Sequence, residues 1–382
     1  MTTSTWTDAR QAARDAAKPL DVLDVALADA LGSALAEPIR AHTAVPAFDT
    51  SAMDGFAVSG VAPWSLVGQV RAGGRAHAAA LRPGNAVEIS TGAPVPPGAD
   101  AVLPVERAIR VGVTIVGEVR VGQHIRRAGE DCARGRELLP EGTVVSPAVL
   151  GLAAAAGYDV LRVHRSPRVA VVITGDELAL SGTPAAGRVR DAIGPVLPGV
   201  LAGAGADLVS VTHVPDQAGA LFSALSRDDV EVLVVGGATS VGPADHLRAV
   251  LHSLHADVRV SGVACRPGHP QLLAVLPDGR CVVGLPGNPF AALGACLTLL
   301  EPLLGAFSGR DVRPAVTARL LGDVPSHPRD TKLVPVTRYG ATASPVGHDR
   351  PGTLWGAALA DALAVVPPGW AGGQVELLRL SA

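Results

Sequence analysis

Residues 282–293 read Val-Val-Gly-Leu-Pro-Gly-Asn-Pro-Phe-Ala-Ala-Leu. An apolar run stops at Leu285. Two prolines then bracket a glycine and an asparagine, and a second apolar run, AALGACLTLLEPLL (291–304), begins at once. A short Val/Leu run that breaks on Pro and Gly predicts a buried strand, and the longer run after it predicts a helix. Pro286 and Pro289 stiffen the turn, Gly287 permits a positive φ, and Asn288 is placed to cap the helix. A helix begun this way offers N–H donors to an anion, although the same turn could be an ordinary connection.

The strand–turn–helix alternation continues outward from this stretch. RVAVVITG (168–175) reads as a strand, 192–205 as a helix, DLVSVTHV (207–214) as a strand, 216–226 as a helix, VEVLVVGG (230–237) as a strand and 243–254 as a helix. Strands at 258–264, 271–276 and 281–285 and a helix at 290–304 complete the series. Such units with near-continuous Val/Leu strands predict a mostly parallel, doubly wound α/β sheet covered on both faces. Ligands of such sheets sit beyond the carboxyl ends of the strands. Four ends here carry unusual loops: Thr174-Gly175-Asp176-Glu177, the run from Gly236 to Asp245, Cys265-Arg266-Pro267-Gly268-His269-Pro270, and Leu285-Pro286-Gly287-Asn288-Pro289. We expect all four at one edge. N–H donors beside the carboxylates Asp176, Glu177 and Asp245 point to a nucleotide or other phosphorylated ligand with a divalent cation.

Toward the N-terminus the pattern changes. Residues 6–37 read as largely helical with a break at Pro19, because Leu20, Leu23, Leu27 and Leu31 recur at helical spacing. Residues 46–140 hold short alternating runs between Gly/Pro clusters and read as a β-rich module. Residues 146–160 return to a helix that is expected to pack on the N-terminal one, which makes the β-rich module an insertion. The C-terminal runs VTARL, KLVPV, ALAVVPP and VELLRL predict a small β-barrel or sandwich. The expected division is 1–45 plus 141–167, 46–140, 168–307 and 308–382.

Composition narrows the class. The 382 residues are 48% hydrophobic, so several cores can be buried, and 44 Gly with 31 Pro imply many turns. Aromatics at 3% and a net charge of −3 argue against nucleic acid as a partner. Cys132, Cys265, Cys281 and Cys296 are scattered without a CxxC pair, which argues against a disulfide framework or zinc site. The N-terminus lacks an apolar signal core, and 148–161 is too short to span a bilayer. The expected setting is the cytoplasm, with no membrane.

In combination and order the motifs resemble those of the MoeA-type molybdopterin molybdenumtransferases, related to the C-terminal domain of gephyrin. They are VPAFDTSAMDGFAV (45–58), RPGNAVEISTGAPVPPGADAVLPVE (82–106), IRRAGEDCARG (125–135), RVAVVITGDEL (168–178), TSVGPAD (239–245), RPGHP (266–270) and GLPGNP (284–289). The resemblance implies four-domain subunits with a MogA-like central domain and a C-terminal β-barrel, paired as an elongated homodimer. It implies insertion of molybdenum from molybdate into adenylylated molybdopterin, with release of AMP and a divalent metal such as Mg2+. Other proteins of molybdenum cofactor biosynthesis are possible partners. It carries catalytic roles onto Asp54, Thr91, Glu177 and Asp245, with Glu177 and Asp245 as metal ligands. It carries substrate binding onto Asp176, Asp216, Gly237, Ser240, Gly242, Arg266, Pro267, Gly268, His269, Pro286, Gly287, Asn288 and Pro289. Structural alternatives stand beside these roles: Asp54 as a turn residue, Thr91 as a loop cap, Glu177 as a surface carboxylate and Asp216 as a helix N-cap.

Several positions depart from the family pattern. Lys-Pro-Gly-Lys-Pro is replaced by Arg266-Pro-Gly-His269-Pro, a glycine by Ala238, the usual lysine by Arg248, a polar residue by Ile193, and a serine-rich stretch by Arg350-Pro-Gly-Thr353-Leu-Trp355. Arginine keeps the charge but not the compact ammonium, and histidine is largely neutral near pH 7. Two readings follow: a working transferase with altered anion ligands, or a catalytically impaired relative acting as scaffold or regulator.

Overall fold

The computed structural model describes residues 3–74, 77–237, 246–312 and 314–380. Its centre is a six-stranded sheet in the order Asp207–Val214, Arg168–Thr174, Val232–Gly236, Cys281–Leu285, Leu272–Val275, Asp257–Ser261. The first four strands are parallel. Leu272–Val275 runs against Cys281–Leu285, and Asp257–Ser261 runs against it in turn, so the last strand again points with the parallel set. Both faces of the central strands are buried. Val169, Val171, Val232, Val234 and Val283 pack under the helices Leu197–Gly203 and Pro289–Phe307, while Ala170, Val172, Leu233, Val235 and Val282 pack under Ala218–Leu225 and His246–Ser253. Each fully buried branched side chain contributes about 1.5–3 kcal/mol. This is the doubly wound module the sequence predicts.

The helix Pro289–Phe307 has 19 residues and a mean hydropathy of 1.8, enough by length and composition to cross a membrane, yet 78% of it is buried inside the fold. It is a core helix. Trp6 Nε1 donates to Thr298 Oγ1 (3.2 Å) in its widened π segment, which docks the N-terminal helix Trp6–Asp15 onto this module. Trp6, Ala9 and Ala13 belong to the same buried cluster.

Two expectations for the N-terminal region are corrected. Residues 20–31 do not form an α-helix: Val22–Ala26 is a strand paired antiparallel with Val160–His164, followed by a single 3-10 turn at Leu27–Asp29. Leu23 and Leu31 stay 44% and 58% exposed while Leu20 and Leu27 pack in two different clusters, so the three- and four-residue leucine spacing did not mark one buried face. The later helix, Pro147–Ala156, is capped by Ser146 and ended by Gly157 at φ 96°. It packs on Leu35, Ile39, Leu161 and Val163, not on the N-terminal helix.

The β-rich module is a six-stranded sheet in the order Ala101–Pro104, Gly55–Val58, Asn85–Ile89, Trp64–Val70, Thr114–Val116, Ile109–Val111, with one apolar cluster on each face. A side chain at Gly55 would collide with the Leu103 carbonyl on the neighbouring strand, so this position in SAMDG needs glycine. At the C-terminus, Val316–Leu320, Thr331–Tyr339, Thr342–Pro345, Ala362–Val366 and Gly373–Arg379 close into a five-stranded barrel. The α/β module reaches into it, because Cys265–Arg266 pairs in parallel with Thr331 and Lys332.

Candidate functional site

The register places the carboxyl ends of five strands, not four, at one edge of the sheet: Ile173 lies opposite both His213 and Gly236, Gly236 opposite Leu285, and Leu272 opposite both Gly284 and Ser261. The loops beyond them are tied to one another. Asp176 N–H donates to Asp216 Oδ2 and Asp216 N–H to Asp176 Oδ1, both at 3.3 Å. Asp216 therefore spans to the neighbouring strand end and is not the cap of helix Ala218–Leu225, whose N-cap is Gln217. Glu177 lies beside this pair, and among the described residues its carboxylate has no hydrogen bond or ion pair. Gly237 stands at φ 95°, where a Cβ would lie 2.5 Å from the Thr174 carbonyl oxygen, and its N–H donates to Leu285 O at 3.2 Å. Glycine is required there on two counts.

The Leu285–Pro289 turn works differently from the expectation. Gly287 is not at positive φ, and Asn288 occupies the N-cap position with no side-chain cap bond. Pro289 has no N–H, and Phe290 N–H donates to Pro351 O of the barrel module at 3.0 Å. The start of this helix is thus spent on joining two modules and has fewer donors for an anion than the sequence suggested.

Between those modules lies a cleft of about 730 Å3. One wall is Arg266, Pro267, Gly268, His269, Pro286 and Asn288; the other is Asp330, Lys332, Asp349, Arg350 and Pro351 from the barrel side. Arg266 Nε bonds Asp330 Oδ2 at 2.6 Å and Lys332 Nζ pairs with Asp349 at 2.8 Å. Burial pushes the Asp330 carboxyl up, but the Arg266 hydrogen bond together with the nearby charges of His327, Arg266 and His269 outweighs it, and the net shift is down. Burial raises the Cys265 thiol to about 12, so this cleft residue is no nucleophile near neutral pH. Three cations against two carboxylates leave the cleft net positive.

Asp54 and Thr91 meet in the β-rich module. Thr91 N–H (2.6 Å) and Thr91 Oγ1–H (3.0 Å) both donate to Asp54 Oδ1, leaving Oδ2 without a bond among the described residues. The Thr91 N–H, and then its hydroxyl, hold the Asp54 carboxyl below the usual carboxylate range. Within this chain no hydrogen bond or ion pair among the described residues joins that pair to the cleft. Ser240, Gly242 and Asp245, with Ala238, lie outside the described residues. Ile193 faces inward at the end of Val232–Gly236 and is 8% exposed. Its N–H and that of Gly194 donate to the buried Asp191, which also bonds His213 at 3.0 Å. Asp330, Lys332 and Asp349 were missed by the sequence reading. Lys332 alone carried a signal, as one of only two lysines in the chain.

A doubly wound module, its strand-end loops tied together beside a net-positive cleft shared with a barrel, defines a multidomain α/β protein. Family models agree in detail: the MoeA N-terminal region (domain I and II) matches residues 4–157, the probable molybdopterin binding domain 170–306, and the MoeA C-terminal region (domain IV) 317–378. Molybdopterin molybdenumtransferase 2 of Mycobacterium tuberculosis is 37% identical over 304 residues, 74% of each chain. The molybdopterin molybdenumtransferase of Bacillus subtilis is 32% identical over 372 residues, 91% of this chain and 86% of that one. A molybdopterin biosynthesis MoeA protein from Pyrococcus horikoshii has the same fold, with a TM-score of 0.79, 27% identity and 100% of both chains covered. The chain belongs to the MoeA family of molybdopterin molybdenumtransferases.

Proposed function

We propose that this protein inserts molybdenum from molybdate into adenylylated molybdopterin and releases AMP. The observation that carries the reading is the net-positive cleft where the RPGHP loop and the Pro286–Asn288 turn meet the barrel. Molybdate is a tetrahedral dianion, and the described cations of this cleft are its natural partners. The Asp176–Asp216 lock fixes the neighbouring loop, so that Glu177 presents a carboxylate with no other duty. A hard divalent cation such as Mg2+ suits that group, with Asp245 as second ligand; when bound it would neutralise phosphate charge at the anhydride. Asp54, held ionised by Thr91, offers Oδ2 as an acceptor for a substrate proton or water.

Because no bond among the described residues links the Asp54–Thr91 pair to the cleft within one chain, the reading includes a homodimer in which the pair of one subunit faces the loops of the other. It also includes the four-part division 1–45 plus 141–167, 46–140, 168–307 and 308–382, work in the cytoplasm, and transfer to or from other proteins of cofactor biosynthesis. The direct test supplies adenylylated molybdopterin and molybdate and follows AMP. Molybdate-dependent release is expected; none from folded protein would remove the reading.

The second reading, an impaired relative that holds a pterin nucleotide or a protein partner, is favoured by one observation: two of the cleft cations are already ion-paired. Complementation of a strain lacking its own molybdenumtransferase separates the two, since a scaffold does not restore the cofactor.

A further inference from the structure

The cleft cations are unequal. Arg266 gives its Nε to Asp330, and Lys332 pairs with Asp349. Asp330 is 17% exposed at its side chain, and Asp349 33%. His327 sits 3.2 Å from Asp330 and is a weaker partner for it than Arg266. Its Nδ1 accepts the N–H groups of Asp330 (2.9 Å) and Arg329 (3.3 Å). Arg266, bonded at 2.6 Å, is the main counter-charge of Asp330. Arg350 and His269 line the same cleft, and among the described residues their side chains make no hydrogen bond or ion pair.

Resting on the reading that this cleft takes molybdate, we propose that Asp330 and Asp349 are built-in counter-ions that set its affinity for tetrahedral oxyanions. Each occupies one cation. An entering dianion is met first by Arg350 and His269 and must compete with a carboxylate for Arg266 and Lys332. A carboxylate facing the same cation disfavours a second anion, and the two ion pairs must loosen for the anion to gain them. The device cuts the positive charge of the resting cleft without abolishing it and makes Arg350 its principal anion ligand.

The test is calorimetric titration of the full-length protein with sodium molybdate near neutral pH. Asp330→Asn and Asp349→Asn should each tighten binding roughly three- to tenfold, and the double variant more than either. Glu37→Gln, which breaks a pair with Arg162 in the N-terminal module at 3.0 Å, should leave it unchanged. Arg350→Ala should lose more affinity than Lys332→Ala. In the AMP-release assay the KM for molybdate should fall in the Asn variants while kcat does not rise. Unchanged or weaker binding in both folded Asn variants would mean that the carboxylates orient the cations and would overturn the proposal, as would equal losses at Arg350 and Lys332. Molybdate binding that follows the expected order without AMP release would remove the transferase reading and leave the counter-ions standing. Absence of binding in every form would remove both.

Discussion

Asp54 shows how much one carboxylate depends on its neighbour. Both bonds from Thr91 go to one oxygen, so the group is kept ionised and oriented while its other oxygen stays available. Asp54→Ala is expected to abolish AMP release with an unchanged melting temperature, because the side chain is exposed and supports no core. Thr91→Val keeps the backbone donor and removes the hydroxyl. It should lower kcat by roughly tenfold or more without loss of fold, as expected for a group that orients a reacting charge. Gly237 makes a different kind of demand. Gly237→Ala puts a Cβ 2.5 Å from the Thr174 carbonyl at a positive φ, and should cost about 1–3 kcal/mol in urea unfolding. That requirement was invisible in the sequence, where Gly237 is simply the second of two glycines after a strand. The Asp54 and Thr91 motifs were legible, but their mutual bond was not, because the two residues are 37 apart and meet only through the sheet.

Among the secondary-structure elements, two helix starts look alike in sequence and differ in physics. Ser146 accepts Val149 N–H at 3.3 Å ahead of Pro147–Ala156, whereas Asn288 makes no such bond ahead of the helix from Pro289. Ser146→Ala should therefore cost about 1 kcal/mol and Asn288→Ala less than about 0.5 kcal/mol, measured by the same unfolding titration. Asn288 misleads because the donor it would satisfy is already claimed from a distance: Phe290 N–H belongs to Pro351. The same cause explains the misread segment at 20–31. Its partner strand, Val160–His164, is more than a hundred residues away, and local leucine spacing carries no record of it. By contrast the strands of the central sheet were read to within three residues at each end. Burial on both faces leaves an unbroken Val/Leu run that needs no partner to be recognised.

Across the whole molecule, charge sets the acid limit of stability. Asp191, Asp229, Glu231, Asp278 and Asp330 are all held below their ordinary values, Asp229 at about 2, by the arginine, histidine and backbone partners that bond them. For Asp229 the Arg227 hydrogen bond leads; for the other four, burial pushes upward and is outweighed. A carboxyl depressed in the folded state contributes its stability in full above its unfolded value of about 4, and loses it as pH falls through the folded value. Buried Glu301 is raised and acts in the opposite sense. Asp49 and Asp54 are lowered too, first by the N–H groups of Ala128 and Thr91. Seven against one, the melting temperature should hold from neutral pH to about pH 5 and fall steeply below pH 4, which differential scanning calorimetry across a pH series would read. The fold class and the modules that carry the motifs were legible in the sequence; the cleft was not, because half its wall comes from the barrel. The central claim is that one subunit's Asp54–Thr91 pair completes the other subunit's cleft. The most direct measurement mixes Asp54→Ala with Glu177→Ala protein under subunit exchange and follows AMP release. Each alone should be inactive, and the mixture should recover up to about a quarter of wild-type specific activity, since half the dimers carry one intact site. A mixture as inactive as its parts, with exchange demonstrated, would contradict the account.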